Sequence, residues 1–184
     1  MTRIKTILLI IYLTIVMLFV GVGVCYAQEY NLYRNSEYQF SLDIPASMNI
    51  IKSRGPNIKM TASTPKTDFI MSVLVKNIPE IKEADDDFLM WLHQDSLNQT
   101  KSDYYKFISC DIINIPNHKV LVQLWTAKHT YPSMTFYQDV IMFHFVTNYK
   151  YFLITYYTNH GELKKYISTI EHSIGSFVDE TGWY

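Results

Sequence analysis

Cysteine is nearly absent: the 184-residue chain has only Cys25 and Cys110. Cys25 falls in a segment read below as a leader, so the mature domain keeps Cys110 alone and forms no internal disulfide. Stability must then come from a packed core, unlike the small disulfide scaffolds of oxidising compartments. Cys110 lies in an apolar run, which predicts a buried, inert thiol. Glycine and proline are also scarce, six of each, and no internal repeat or low-complexity linker interrupts the chain. Charge of one sign is lacking as well, with 16 basic residues against 17 acidic. A chain without a basic field is not built for non-specific binding to nucleic acid.

Chemical motifs are missing too. The histidines His93, His118, His129, His144, His160 and His172 include no HExxH pair, and no GxSxG is present. Asp85, Asp86 and Asp87 lack the alternating ligands and central glycine of a calcium loop, so helix capping is the better account of them. No catalytic residue, metal ligand or cofactor is assigned, and the expectation is a protein that is not an enzyme.

What the sequence does have is apolar and aromatic. Residues 6–24 form an apolar run behind Arg3 and Lys5, followed by Cys25, Tyr26 and Ala27. A short basic region, an apolar run and small residues at −3 and −1 make residues 1–27 a secretory signal peptide, cut before Gln28. The run is also long enough to span a bilayer of ~30 Å, so an uncleaved anchor is the alternative. Either way residues 28–184 form one domain beyond the membrane, secreted or periplasmic, touching a membrane only through an uncut leader. Aromatics make up 15% of the chain, with 15 Tyr, which favours a strand-rich packed domain over disorder.

Periodicity predicts the elements. Strands are expected at 37–44, 48–52, 58–63, 69–77 and 104–115. In the first, Phe40, Leu42 and Ile44 point one way and Gln39, Ser41 and Asp43 the other, a half-buried strand closed by Pro45. A helix is expected over 87–97, with Phe88, Trp91 and Leu92 inward and His93, Gln94, Asp95 and Asn98 solvated. Three long runs follow, 119–130, 135–147 and 151–158, read as an antiparallel meander at the centre of one sheet. A turn at Tyr131-Pro132-Ser133-Met134 would set His129 opposite Phe136 and His144 opposite Leu121. These strands are apolar on both sides, so both faces need cover. Leu163, Ile167, Ile170 and Ile174 give a last helix with one apolar stripe, worth about 1.5–3 kcal/mol per buried side chain before entropy. Gly175 ends it, and Phe177 turns back into the core.

The opening EYQFSLDIP, a strand pair, a helix, three long strands and a last helix running into ISTIEHSIGSF resemble the PsbP-like superfamily, over about residues 30–178. That group includes photosystem PsbP, Mog-type Ran-binding proteins, the envelope lipoprotein DcrB and the Eag-type effector chaperones. The resemblance implies an α+β fold, an antiparallel β-sheet flanked by helices on both faces in an α/β/α sandwich. It carries over no functional residue, because its members differ in function.

The expected function is an exported, non-catalytic domain that binds a protein partner in the envelope or outside the cell, as an assembly accessory factor. A small-ligand binder for an apolar molecule or glycan is the second reading, and a hydrolase of envelope material the third. The candidate ligand or partner surface is Trp125, His129, Tyr131, Phe136 and Tyr149, aromatic or polar groups suited to stacking. It is expected at the sheet's rim and loops, 130–135 and 148–150.

Overall fold

The structure is a computed structural model, and it describes residues 28–53, 55–100 and 104–181. The leader expected at residues 1–27 lies outside the described residues. Among the described residues, no helix is long and apolar enough to cross a membrane.

Among the described residues ten strands and two helices follow in order: β1 (Tyr30–Asn35), β2 (Phe40–Pro45), β3 (Asn49–Ile50), β4 (Ile58–Ser63), β5 (Phe69–Asn77), α1 (Asp86–Gln99), β6 (Tyr105–Ile115), β7 (His118–Tyr131), β8 (Met134–Thr147), β9 (Lys150–Asn159), α2 (Leu163–Gly175) and β10 (Val178–Asp179). They build two antiparallel sheets rather than the single one expected. The larger runs β3-β4-β5-β9-β8-β7-β6, and the smaller is β1-β2-β10. The expected first strand therefore leaves the main sheet. It lies between β1 and β10, which makes β2 almost wholly buried instead of half-buried.

The meander sits in the larger sheet as its alternation requires. β8 pairs β7 on one side and β9 on the other, with His129 opposite Phe136 and Leu121 opposite His144. A period of two locks this register, since a one-residue slip would exchange the faces of every side chain. Asn148 and Tyr149 turn β8 into β9 with φ of 46° and 63°. Two successive positive φ values make the tight hairpin turn whose twist matches the flanking strands. Five consecutive residues of β8, Phe143 to Thr147, are buried, so water reaches neither side of this stretch.

The main core joins Phe143, Phe145, Phe152, Ile154 and Tyr156 to Met71, Val73 and Val75 of β5, Phe40 and Leu42 of β2, and Ile170 and Ile174 of α2. Phe177 enters it as expected, with ring centroids 4.8 Å from Phe145 and 5.0 Å from Phe152. Helix α2 is also tied down by polar bonds. Ser173 Oγ donates to the Asp43 carbonyl at 2.7 Å, and Asp43 N–H donates to Ser176 Oγ at 2.8 Å. Helix α1 packs on β6 and β7. Its start is capped by Asp85, whose carboxylate accepts from Phe88 N–H at 2.8 Å, the role expected of that acidic run.

Candidate functional site

Helix α1 and the strands beside it border a half-open cavity of about 470 Å³. Its wall is Phe88, Trp91 and Leu92 from α1, Ile78 and Ile81 from the preceding segment, and Trp125, Met142 and Leu153 from the sheet. His144 and Tyr151 add the polar groups of that wall, with Asp95, Ser96 and Lys76 around it. These strand residues have the opposite parity to Phe143, Phe145, Phe152 and Ile154, so they project away from the main core. The volume falls within the range of small-molecule sites, which are mostly apolar with a few placed polar groups.

The helix reaches this position by a face that keeps Phe88 and Leu92 of the expected one but is centred on Leu89 and His93. Leu89 and His93 are its buried residues, and Leu92, Ser96 and Leu97 are partly buried. Those positions form an i, i+3, i+4, i+7, i+8 stripe. Trp91, expected to face inward, is 58% exposed, and His93, expected in solvent, is 6% exposed. Two polar residues within the stripe hide it from a reading based on hydrophobicity.

His93 is buried because its partners come with it. Trp125 Nε1–H donates to Gln123 Oε1 at 3.4 Å, which orients the amide so that Gln123 Nε2 donates to His93 Nδ1 at 2.9 Å. In the neutral ring the proton then sits on Nε2, 3.6 Å from Cys110 Sγ. Cys110 is half-buried on an edge strand and not fully enclosed as expected.

The second polar pair is His144 and Tyr151, with the Tyr151 hydroxyl 2.7 Å from His144 Nδ1. Burial, and secondarily the nearby His93, lowers the His144 imidazole to about 4, so it is neutral at physiological pH. Burial likewise pushes the Tyr151 phenol above its ordinary value, with Asp95 adding to the effect, so it keeps its proton. His144 Nε2 is buried and has no hydrogen-bond partner among the described residues.

The five candidate surface residues fall in three places. Trp125 lines the cavity and is 3% exposed. His129, Tyr131 and Phe136 stack together at the β7–β8 hairpin, with centroids 4.8 Å apart for His129–Phe136 and 5.9 Å for Tyr131–Phe136. Tyr149 sits at the other end of β8, half-exposed in the β8–β9 turn. Sequence reasoning passed over His93, Gln123, His144 and Tyr151 as a constellation. Their parity along β7, β8 and β9 was available, but their meeting with α1 was not. Among the described residues, no group of three or more His, Cys, Asp or Glu is placed to hold a metal ion.

No protein-family model matches the sequence, and no curated protein matches it. Solved structures do. The cyanobacterial PsbP of Synechocystis superposes with a TM-score of 0.57 at 12% identity, over 85% of this chain and 95% of that one. A Bacteroides thetaiotaomicron protein gives 0.56 at 10% identity, over 83% of this chain but 49% of the other. The Saccharomyces cerevisiae Ran-binding protein Mog1p gives 0.55 at 5% identity, over 83% and 96%. At such identities the likeness speaks for architecture and not for activity. The chain has the PsbP-like fold, antiparallel sheets with two helices among the described residues.

Proposed function

We propose that this is an exported, non-catalytic member of the PsbP-like superfamily that binds a small, largely apolar ligand between α1 and the large sheet. The observation that carries the reading is the 470 Å³ cavity walled by Phe88, Trp91, Trp125, Met142 and Leu153. A layered architecture with a helix on each face of the sheet belongs to the same proposal, α1 forming the lid of the site. Aromatic walls supply contact area at low entropic cost, and the few polar groups orient the guest.

The test is displacement of an environment-sensitive apolar dye from the purified domain, with Met142→Trp as the cavity-filling variant. Saturable binding that Met142→Trp abolishes, at unchanged circular dichroism, supports the proposal. Equal dye binding by both proteins would sink it. Export is tested separately, by the mass of the protein recovered from the host envelope: loss of residues 1–27 is expected, and an intact N-terminus would count against cleavage.

A second reading, an accessory domain with a protein partner, is favoured by one observation. Among the described residues edge strand β6 pairs only with β7 and exposes Ile108, while Tyr131, Met134 and Tyr137 are exposed farther along, at the β7–β8 hairpin. An unpaired strand edge with apolar neighbours suits addition of a partner strand. Crosslinking in the host from position 108 should then trap one protein repeatedly; scattered or absent adducts would refute it.

A further inference from the structure

We infer that the guest of the α1 cavity carries a neutral hydrogen-bond acceptor, a ketone, ester or amide carbonyl on an apolar body, and that His144 Nε2–H receives it. The inference rests on the ligand-binding reading above and narrows it to a chemical class.

Among the described residues the Tyr151 hydroxyl has His144 Nδ1 as its hydrogen-bond partner, at 2.7 Å. A phenol that keeps its proton satisfies that O–H by donating it to the ring nitrogen. The Nδ1 lone pair is then occupied, and the neutral imidazole carries its proton on Nε2. That second nitrogen is buried with no partner, on a residue that lines the cavity, and a guest reaches it by displacing the side chains that cover it. A buried donor left unpaired is costly, so it marks the place where a guest gains by presenting an acceptor.

The surroundings select a neutral guest. His144 is 3% exposed and stays uncharged, so it offers a hydrogen bond without a positive charge. Among the described residues that line the cavity, Asp95 and Glu80 are acidic and Lys76 is basic. A carboxylate guest would lose its hydration against an uncharged donor, whereas a carbonyl loses little. The remaining wall, Trp125, Met142 and Leu153, receives the apolar body.

The experiment compares guests of one length, 2-undecanone, undecane and undecanoate, by Trp fluorescence and calorimetry on the wild type and on His144→Leu. His144→Leu also leaves the Tyr151 hydroxyl without its partner, so Tyr151→Phe is measured beside it as the control for that loss, and thermal melts verify the fold. The expected result is at least tenfold tighter binding of the ketone than of the alkane, a preference lost in His144→Leu. It is accompanied by a ketone-dependent ¹⁵N shift of His144 Nε2 in the wild type. Equal binding of ketone and alkane overturns the acceptor assignment while the ligand-binding reading stands. Tighter undecanoate overturns the preference for a neutral guest. If none of the three binds, the cavity holds water alone and both readings fall.

Discussion

Asp139 of β8 reaches across to His160, its Oδ1 lying 2.6 Å from His160 Nδ1. Its other oxygen accepts from Gly161 N–H at 2.8 Å, at a residue with φ +83°. One largely buried carboxylate thus anchors the turn that ends β9 and aims α2 at the core. Asp139→Ala removes both acceptors and should cost about 1–3 kcal/mol in urea denaturation. A loss below a few tenths would show that the turn stands without it.

The buried His144 makes stability depend on pH. The unfolded imidazole takes up its proton near 6.5, whereas the folded one waits until about 4. Between those values the unfolded state binds more protons, so stability should fall as pH is lowered from 6.5 to 4, by up to about 1.4 kcal/mol per unit. His118, lowered likewise by burial, adds a slope of the same sign just below 6.5. Asp68, whose carboxyl is held below 3.8 first by the Thr64 hydroxyl, acts only beneath that window. His144→Leu should flatten the profile over this range; an unchanged slope in that variant would assign the dependence to other groups.

Gln123 satisfies two buried neighbours at once, the Trp125 indole and His93 Nδ1. Gln123→Leu should destabilise by about 1–3 kcal/mol because both are left unpaired. The double variant Gln123→Leu with His93→Leu should recover part of that loss, since an apolar pair strands fewer polar atoms. Strict additivity of the two single effects would contradict the coupling.

Phe177 packs against Phe40, Phe145 and Phe152 beneath the smaller sheet. Its truncation to Ala should cost about 3–5 kcal/mol, a large share of the ~5–15 kcal/mol stability of a domain. Urea midpoints measure it, and a cost under about 1 kcal/mol would mean that the C-terminal segment is not part of the cooperative unit.

The central meander was legible in the sequence down to its register. Alternation along 119–147 and a turn at Pro132-Ser133 leave one pairing that keeps the same faces buried, and His129–Phe136 and Leu121–His144 follow. The α2 stripe and the return of Phe177 were legible for the same reason, a local period tied to a breaker. The strand β1 was not: Tyr30, Asn31, Leu32 and Tyr33 carry no clean alternation, and Leu32 remains 63% exposed. Its place is set by pairing with β2, a contact that local pattern does not encode.

The division is clearest at α1. By itself the sequence determined that a helix follows the capping acidic run 85–87 and that the strands after it are apolar on both sides, because capping and alternation are short-range. Only the tertiary structure decided which side of that helix turns inward. His93 is buried because Gln123 and Cys110, distant in the chain, supply its partners, and His144 is drawn into the same region with one nitrogen left unpaired. Burial of a polar side chain is decided by whether partners meet it in space, and the chain's own periodicity carries no record of that meeting.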